Sequence, residues 1–69
     1  MEELVEAANM FMDAWNNGPI IKRQEACERL YQLTGRQLYR SKNWYTIKNA
    51  VDGILLADAR NGAGNSGTH

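Results

Sequence analysis

The chain has 69 residues, with eight Lys or Arg, eight Asp or Glu, one His and one Cys. That length allows one domain with a thin core, for which self-association is an available stabiliser. A lone cysteine excludes an internal disulfide, and Cys27 with His69 cannot supply a structural zinc site.

No apolar run reaches the length of a membrane span, and the first residues are acidic where a signal peptide is basic. A single thiol suits a reducing compartment. The expectation is a soluble, cytoplasmic protein that needs no cofactor.

Assigning about 100° of rotation to each residue finds three amphipathic helices. The first spans residues 2–16. Leu4, Val5, Ala8, Phe11, Met12 and Trp15 share one side, and Glu2, Glu6, Asn9, Asp13 and Asn16 share the other. Its early glutamates suit the positive end of the helix dipole, and Asn16-Asn17-Gly18 ends it.

The second helix is expected over residues 19–34. Pro19 stands at the first helical position, Asn17 or Gly18 caps it, and Gly35 terminates it. Ile20, Ala26, Cys27, Leu30, Tyr31 and Leu33 cluster on one side. Lys22, Glu25, Glu28, Arg29 and Gln32 lie outside that cluster.

Residues 36–40 allow a short helical turn, an extended connection, or the start of a longer helix. The third helix is expected over 41–60, with Ser41 as its N-cap. Trp44, Ile47, Ala50, Val51, Ile54, Leu55 and Ala57 form its stripe, and Asn61-Gly62 stops it. No stretch alternates apolar and polar residues between turn residues, so strands are not expected. The fold class is therefore all-α: a three-helix domain over 1–60, followed by a flexible tail over 61–69 rich in Gly, Asn, Ser and Thr.

Tyr45, Asp52 and Leu56 fall on the far side of the third helix, at positions i, i+7 and i+11. A second apolar stripe cannot face the core that the first one faces. Tyr45 and Leu56 are either isolated surface residues or, with Asp52, a self-association face.

Catalytic groupings are missing. The one histidine is terminal, and Cys27 lies on an apolar stripe without a histidine to activate it. No Gly-rich phosphate loop precedes a helix, and the pairs Glu2/Glu6 and Glu25/Glu28 stand on polar faces. An enzyme is not expected.

Charge, by contrast, is sorted along the chain. Residues 1–19 hold Glu2, Glu3, Glu6 and Asp13 without a cation, whereas 20–48 hold Lys22, Arg23, Arg29, Arg36, Arg40, Lys42 and Lys48 against Glu25 and Glu28. Residues 49–69 hold Asp52 and Asp58 against Arg60. Local field, not the sum, decides which partners approach. Within the basic middle, Arg36, Tyr39, Arg40, Lys42, Trp44, Tyr45 and Lys48 interleave cations with aromatic rings. That composition suits an acidic protein surface, a nucleic acid or an anionic nucleotide. Alternatively, Trp44 and one of the tyrosines are core, and the cations solvate a connection.

Residues 46–54 (Thr-Ile-Lys-Asn-Ala-Val-Asp-Gly-Ile) resemble the recognition helix of helix-turn-helix proteins. Gln37, Ser41 and Lys42 stand where that family has a small residue, a Gly and an apolar residue, so the family is not assigned. The leading expectation is a small non-enzymatic binding protein, an adaptor or inhibitor, that forms a homodimer and acts on another protein. Nucleic-acid or nucleotide binding through 36–48 is the alternative.

Overall fold

The computed structural model describes the backbone of residues 2–67 and the side chains of residues 2–61. Three α-helices, α1 (Glu2–Asn17), α2 (Ile20–Thr34) and α3 (Trp44–Gly67), enclose one short 3-10 turn (Gln37–Arg40) between α2 and α3. No strand occurs among the described residues. The all-α, three-helix expectation therefore holds.

Local chemistry explains most of the boundaries. α1 ends where Gly18 turns to φ +67° and its N–H donates to the Ala14 carbonyl at 2.8 Å. α2 ends the same way, with Gly35 at φ +70° donating to the Tyr31 carbonyl at 2.7 Å. Only glycine adopts that left-handed backbone without a Cβ penalty.

Two helix starts differ from expectation by identifiable mechanisms. Pro19 is the N-cap of α2 and not its first residue: its backbone is extended, its carbonyl accepts from the Lys22 N–H, and no side chain caps the helix. Neither Asn17 nor Gly18 is the cap; proline at this position removes one N–H from those that a helix start leaves without a partner. α3 starts at Trp44 and not at 41. Asn43 Oδ1 accepts from the N–H groups of Tyr45 (3.1 Å) and Thr46 (3.2 Å), which makes Asn43 the cap. Ser41 Oγ accepts from the Asn43 N–H at 3.0 Å and so bends the chain one step earlier. The backbone of α3 is helical through Gly67, so the helix does not stop at Asn61-Gly62 as expected, because backbone hydrogen bonding continues past both residues. The expected flexibility of the tail concerns side chains that, beyond Asn61, lie outside those described.

Packing centres on α1, which contacts both α2 and α3. Arg23 of α2 reaches the end of α1, and Trp44 and Tyr45 at the start of α3 touch Phe11 and Trp15. Both neighbours therefore run antiparallel to α1 and parallel to each other. Residues 35–43 must then travel back along α2 to reach the start of α3, and they form a strap over the bundle. A helix-turn-helix joins its two helices through a turn of roughly 3–4 residues, which the strap exceeds.

Phe11 fills the centre, with Trp15 stacked on it at 5.9 Å and Trp44 tilted against it at 6.3 Å. Leu30, Ile47, Val51 and Tyr39 complete the core, and Ala7, Ala8, Ala14 and Ala26 let the helices approach closely. Because α1 is covered on two sides, Ala7 and Ala14 join its buried arc, while Val5 and Met12 are half-buried. On α2 the buried arc is narrow (Ala26, Cys27, Leu30). Ile20 and Leu33, expected inward, lie on opposite flanks of it and are exposed. Ala57, expected in the α3 stripe, is exposed as well. α3 is 24 residues long against 16 for α1. At about 1.5 Å per residue it therefore outruns its neighbours.

Phe11→Ala is expected to cost about 3–5 kcal/mol, as large as the whole stability of many domains this small, and so to abolish the cooperative thermal transition. Ile54→Ala, at a half-buried position, should cost less, at or below about 2 kcal/mol in chemical denaturation.

Candidate functional site

The strap is tied to α2 step by step. Thr34 Oγ1 donates to the Leu30 carbonyl and accepts from the Arg36 N–H, which starts the return. Gln37 Nε2 donates to Tyr31 Oη at 3.5 Å. Arg40 Nη2 donates to Glu28 Oε1 at 3.3 Å and Oε2 at 3.1 Å, and its guanidinium carbon lies 3.7 Å from the centre of the Tyr31 ring. Glu28 is thereby held below the usual carboxylate range, first by the Gln32 side-chain hydrogen bond and then by that from Arg40.

Between these ties Tyr39 turns inward and is only 3% exposed. Burial raises its phenol pKa, partly opposed by the Arg36 charge. Cys27 is buried too, its thiol pushed up to about 11 by desolvation against the opposing charge of Arg23. A thiol so raised is a packing group and a poor nucleophile at neutral pH.

The seven residues of the basic, aromatic segment do not form one surface. Tyr39 is core, and its ring is closed to stacking by a ligand outside. Arg40 is engaged by Glu28 and Tyr31, and Lys48 pairs with Asp52 at 2.9 Å. Trp44 is half-buried on Phe11. Arg36 and Lys42 are exposed and enter none of the ion pairs among the described residues. Tyr45 is 70% exposed and meets Trp15 edge-on at 5.4 Å.

Two features arise from this arrangement. An open groove of ≈ 470 Å³ runs between Gln24, Cys27 and Glu28 on α2 and the strap from Tyr39 to Lys42, with Trp44 at its end. The second feature is the outer face of α3, where Tyr45, Asn49, Asp52 and Leu56 follow one another at spacings of four, three and four. Leu56 there is 61% exposed. A smaller depression of ≈ 310 Å³ lies between Glu2, Val5 and Glu6 of α1 and Asp58 of α3, and gathers acid at the other end of the bundle.

Sequence reasoning missed Arg23. Its Nε and Nη2 donate to the carbonyls of Ala14 and Trp15, and its guanidinium lies 4.9 Å from the Trp15 ring and 5.7 Å from that of Trp44. It closes the C-terminal end of α1 and joins all three helices. Nothing local in the sequence distinguishes it from the solvated Lys22 beside it.

Among the described residues no group of three His, Cys, Asp or Glu side chains could hold a metal ion, and no helix is long and apolar enough to cross a membrane. No family model matches the chain, and no curated protein or solved structure is significantly similar to it.

Glu28 has a lower pKa folded than unfolded, so the stability it contributes is full above about pH 4.5 and is lost as pH falls through the folded value. Glu28→Gln should flatten that part of the loss when urea midpoints are compared across this acid range. Cys27 should react slowly with an aromatic disulfide reagent in the native protein at mildly alkaline pH, and rapidly once urea unfolds the chain.

Proposed function

We propose that this chain is a small non-enzymatic helical binding protein, of adaptor or inhibitor type, that pairs with a second copy of itself through the outer face of α3. The observation that carries the reading is the exposure of Tyr45 and Leu56 on one line of the longest helix. Spacings of four, three and four are those of a coiled-coil seam, in which two polar residues, Asn49 and the Lys48-paired Asp52, lie between the apolar Tyr45 and Leu56 and fix register. Gly53 beside that line has open space where a Cβ would stand, which permits close approach of a second helix.

Charge favours the antiparallel arrangement. It brings the acidic end of each copy (Glu2, Glu6, Asp58) towards the cationic start of α3 in the other (Lys42, Lys48), and the contact repeats by two-fold symmetry. A parallel pairing would set like charges together. The exposed Ile20 and Ile21 at the start of α2 remain for a target protein. A cytoplasmic setting belongs to this reading, supported by the single buried thiol.

Leu56→Ala removes apolar surface that the folded protomer does not use. Its effect on protomer stability should stay within about 0.5 kcal/mol. Sedimentation velocity over a concentration series should give a dimer for the unaltered chain and a monomer for Leu56→Ala. Asp58→Lys should weaken pairing most at low salt. A monomer at every concentration into the millimolar range would overturn the reading.

A further inference from the structure

The groove between α2 and the strap mixes apolar surface from Cys27 and Trp44 with the polar side chains of Gln24, Glu28, Tyr39, Arg40, Ser41 and Lys42. Tyr39 is 3% exposed, yet its hydroxyl makes no hydrogen bond to any described residue, while no fully buried side-chain polar atom lacks a partner. The hydroxyl therefore meets the outside through the groove that Tyr39 lines. Lys42, which enters none of the ion pairs among the described residues, lines the same groove. Arg40 spends only Nη2 on Glu28, so its Nε and Nη1 donors remain, and the stack on Tyr31 holds their plane in place. Gln24 and Ser41 add an amide and a hydroxyl.

The one carboxylate present, Glu28, already accepts from Gln32 and Arg40. The one anionic acceptor is thus largely satisfied, and Lys42, the Tyr39 hydroxyl and the remaining Arg40 donors face it across the groove. Lys42 and the Tyr39 hydroxyl have no partner among the described residues, and with the remaining Arg40 donors they complement an oxyanion with many lone pairs. The half-buried indole of Trp44 adds an aromatic wall. A volume of ≈ 470 Å³ falls within the range of small-ligand sites, about 300–1,000 Å³.

We infer that this groove binds a ring-bearing phosphate monoester of the size of a nucleoside monophosphate. The phosphate would lie against Lys42, Tyr39 and the free donors of Arg40, and the ring against Trp44. Arg40 and Lys42 against Glu28 leave the groove with a formal charge of 2 − 1 = +1, which an anionic phosphate complements. Glu28 retains acceptor capacity for a sugar hydroxyl. Apart from Lys42, which also enters the charge contact of the α3 pairing, the inference uses no residue of that face, and Tyr39→Phe tests it whether or not the chain dimerises.

The test is calorimetric titration of the full chain with adenosine monophosphate, adenosine, inorganic phosphate and a short oligoadenylate, with amide shifts followed by NMR. Adenosine monophosphate should bind and shift Gln24, Tyr39 and Lys42, with adenosine and phosphate each much weaker. Lys42→Ala and Tyr39→Phe should each lower affinity on the order of tenfold or more, the cost of a charge-assisted or otherwise unsatisfied hydrogen bond. Tyr39→Phe keeps the packed ring, and an unchanged circular dichroism spectrum would confirm that both variants fold. Absence of binding at millimolar nucleotide, or full affinity in either variant, overturns the proposal. Oligoadenylate binding far tighter than the mononucleotide also overturns it, in favour of a strand-binding surface.

Discussion

Helix direction is the constraint on which this molecule depends. α2 and α3 both run antiparallel to α1, so they run parallel to each other, and no tight turn can join two parallel helices side by side. The strap over residues 35–43 solves that problem by travelling back along α2. Tyr39 anchors it by filling the space between α2 and α3 that neither helix fills directly. The groove follows from the same geometry, because the returning strap runs beside α2 and leaves a cleft between itself and Gln24, Cys27 and Glu28.

Energetically the fold rests on few groups. Phe11, Leu30, Ile47 and Val51 are the large side chains fully removed from water. The ion pairs Lys22–Glu25 and Arg29–Glu6 have both partners about half exposed or more, and pairs of that kind contribute little. Arg23 is different in kind. It donates to the Ala14 carbonyl, which also accepts from Gly18, and to the Trp15 carbonyl, whose place in the ladder falls to Pro19 with no N–H to give. Its flat cation fills the space between two indoles. One side chain thus supplies a helix cap and an interhelical joint.

The basic, aromatic middle shows how one composition divides between structure and surface. Trp44 and Tyr39 support the core, and Arg40 and Lys48 are held by carboxylates on α2 and α3. What remains outward is Arg36, Lys42 and Tyr45, in two different places. The charge sorting read along the chain persists in space as an acidic end, where the start of α1 meets Asp58, and a cationic strap.

Amphipathic period, glycine terminators and the acidic first turn determined α1, the body of α2 and the stripe of α3 from sequence alone, because each of those signals acts within about four residues. The outward position of Tyr45 and Leu56 was legible for the same reason. Four residues of 3-10 turn are too short to show a period, so the state of 37–40 was not legible. Both Ser41 and Asn43 are good caps, and only the return path of the strap chose between them. Arg40 with Glu28, Arg23 with Trp44, and the exposure of Ile20 and Leu33 were likewise tertiary decisions: each depends on where α2 and the strap lie against the rest, and no local pattern records that.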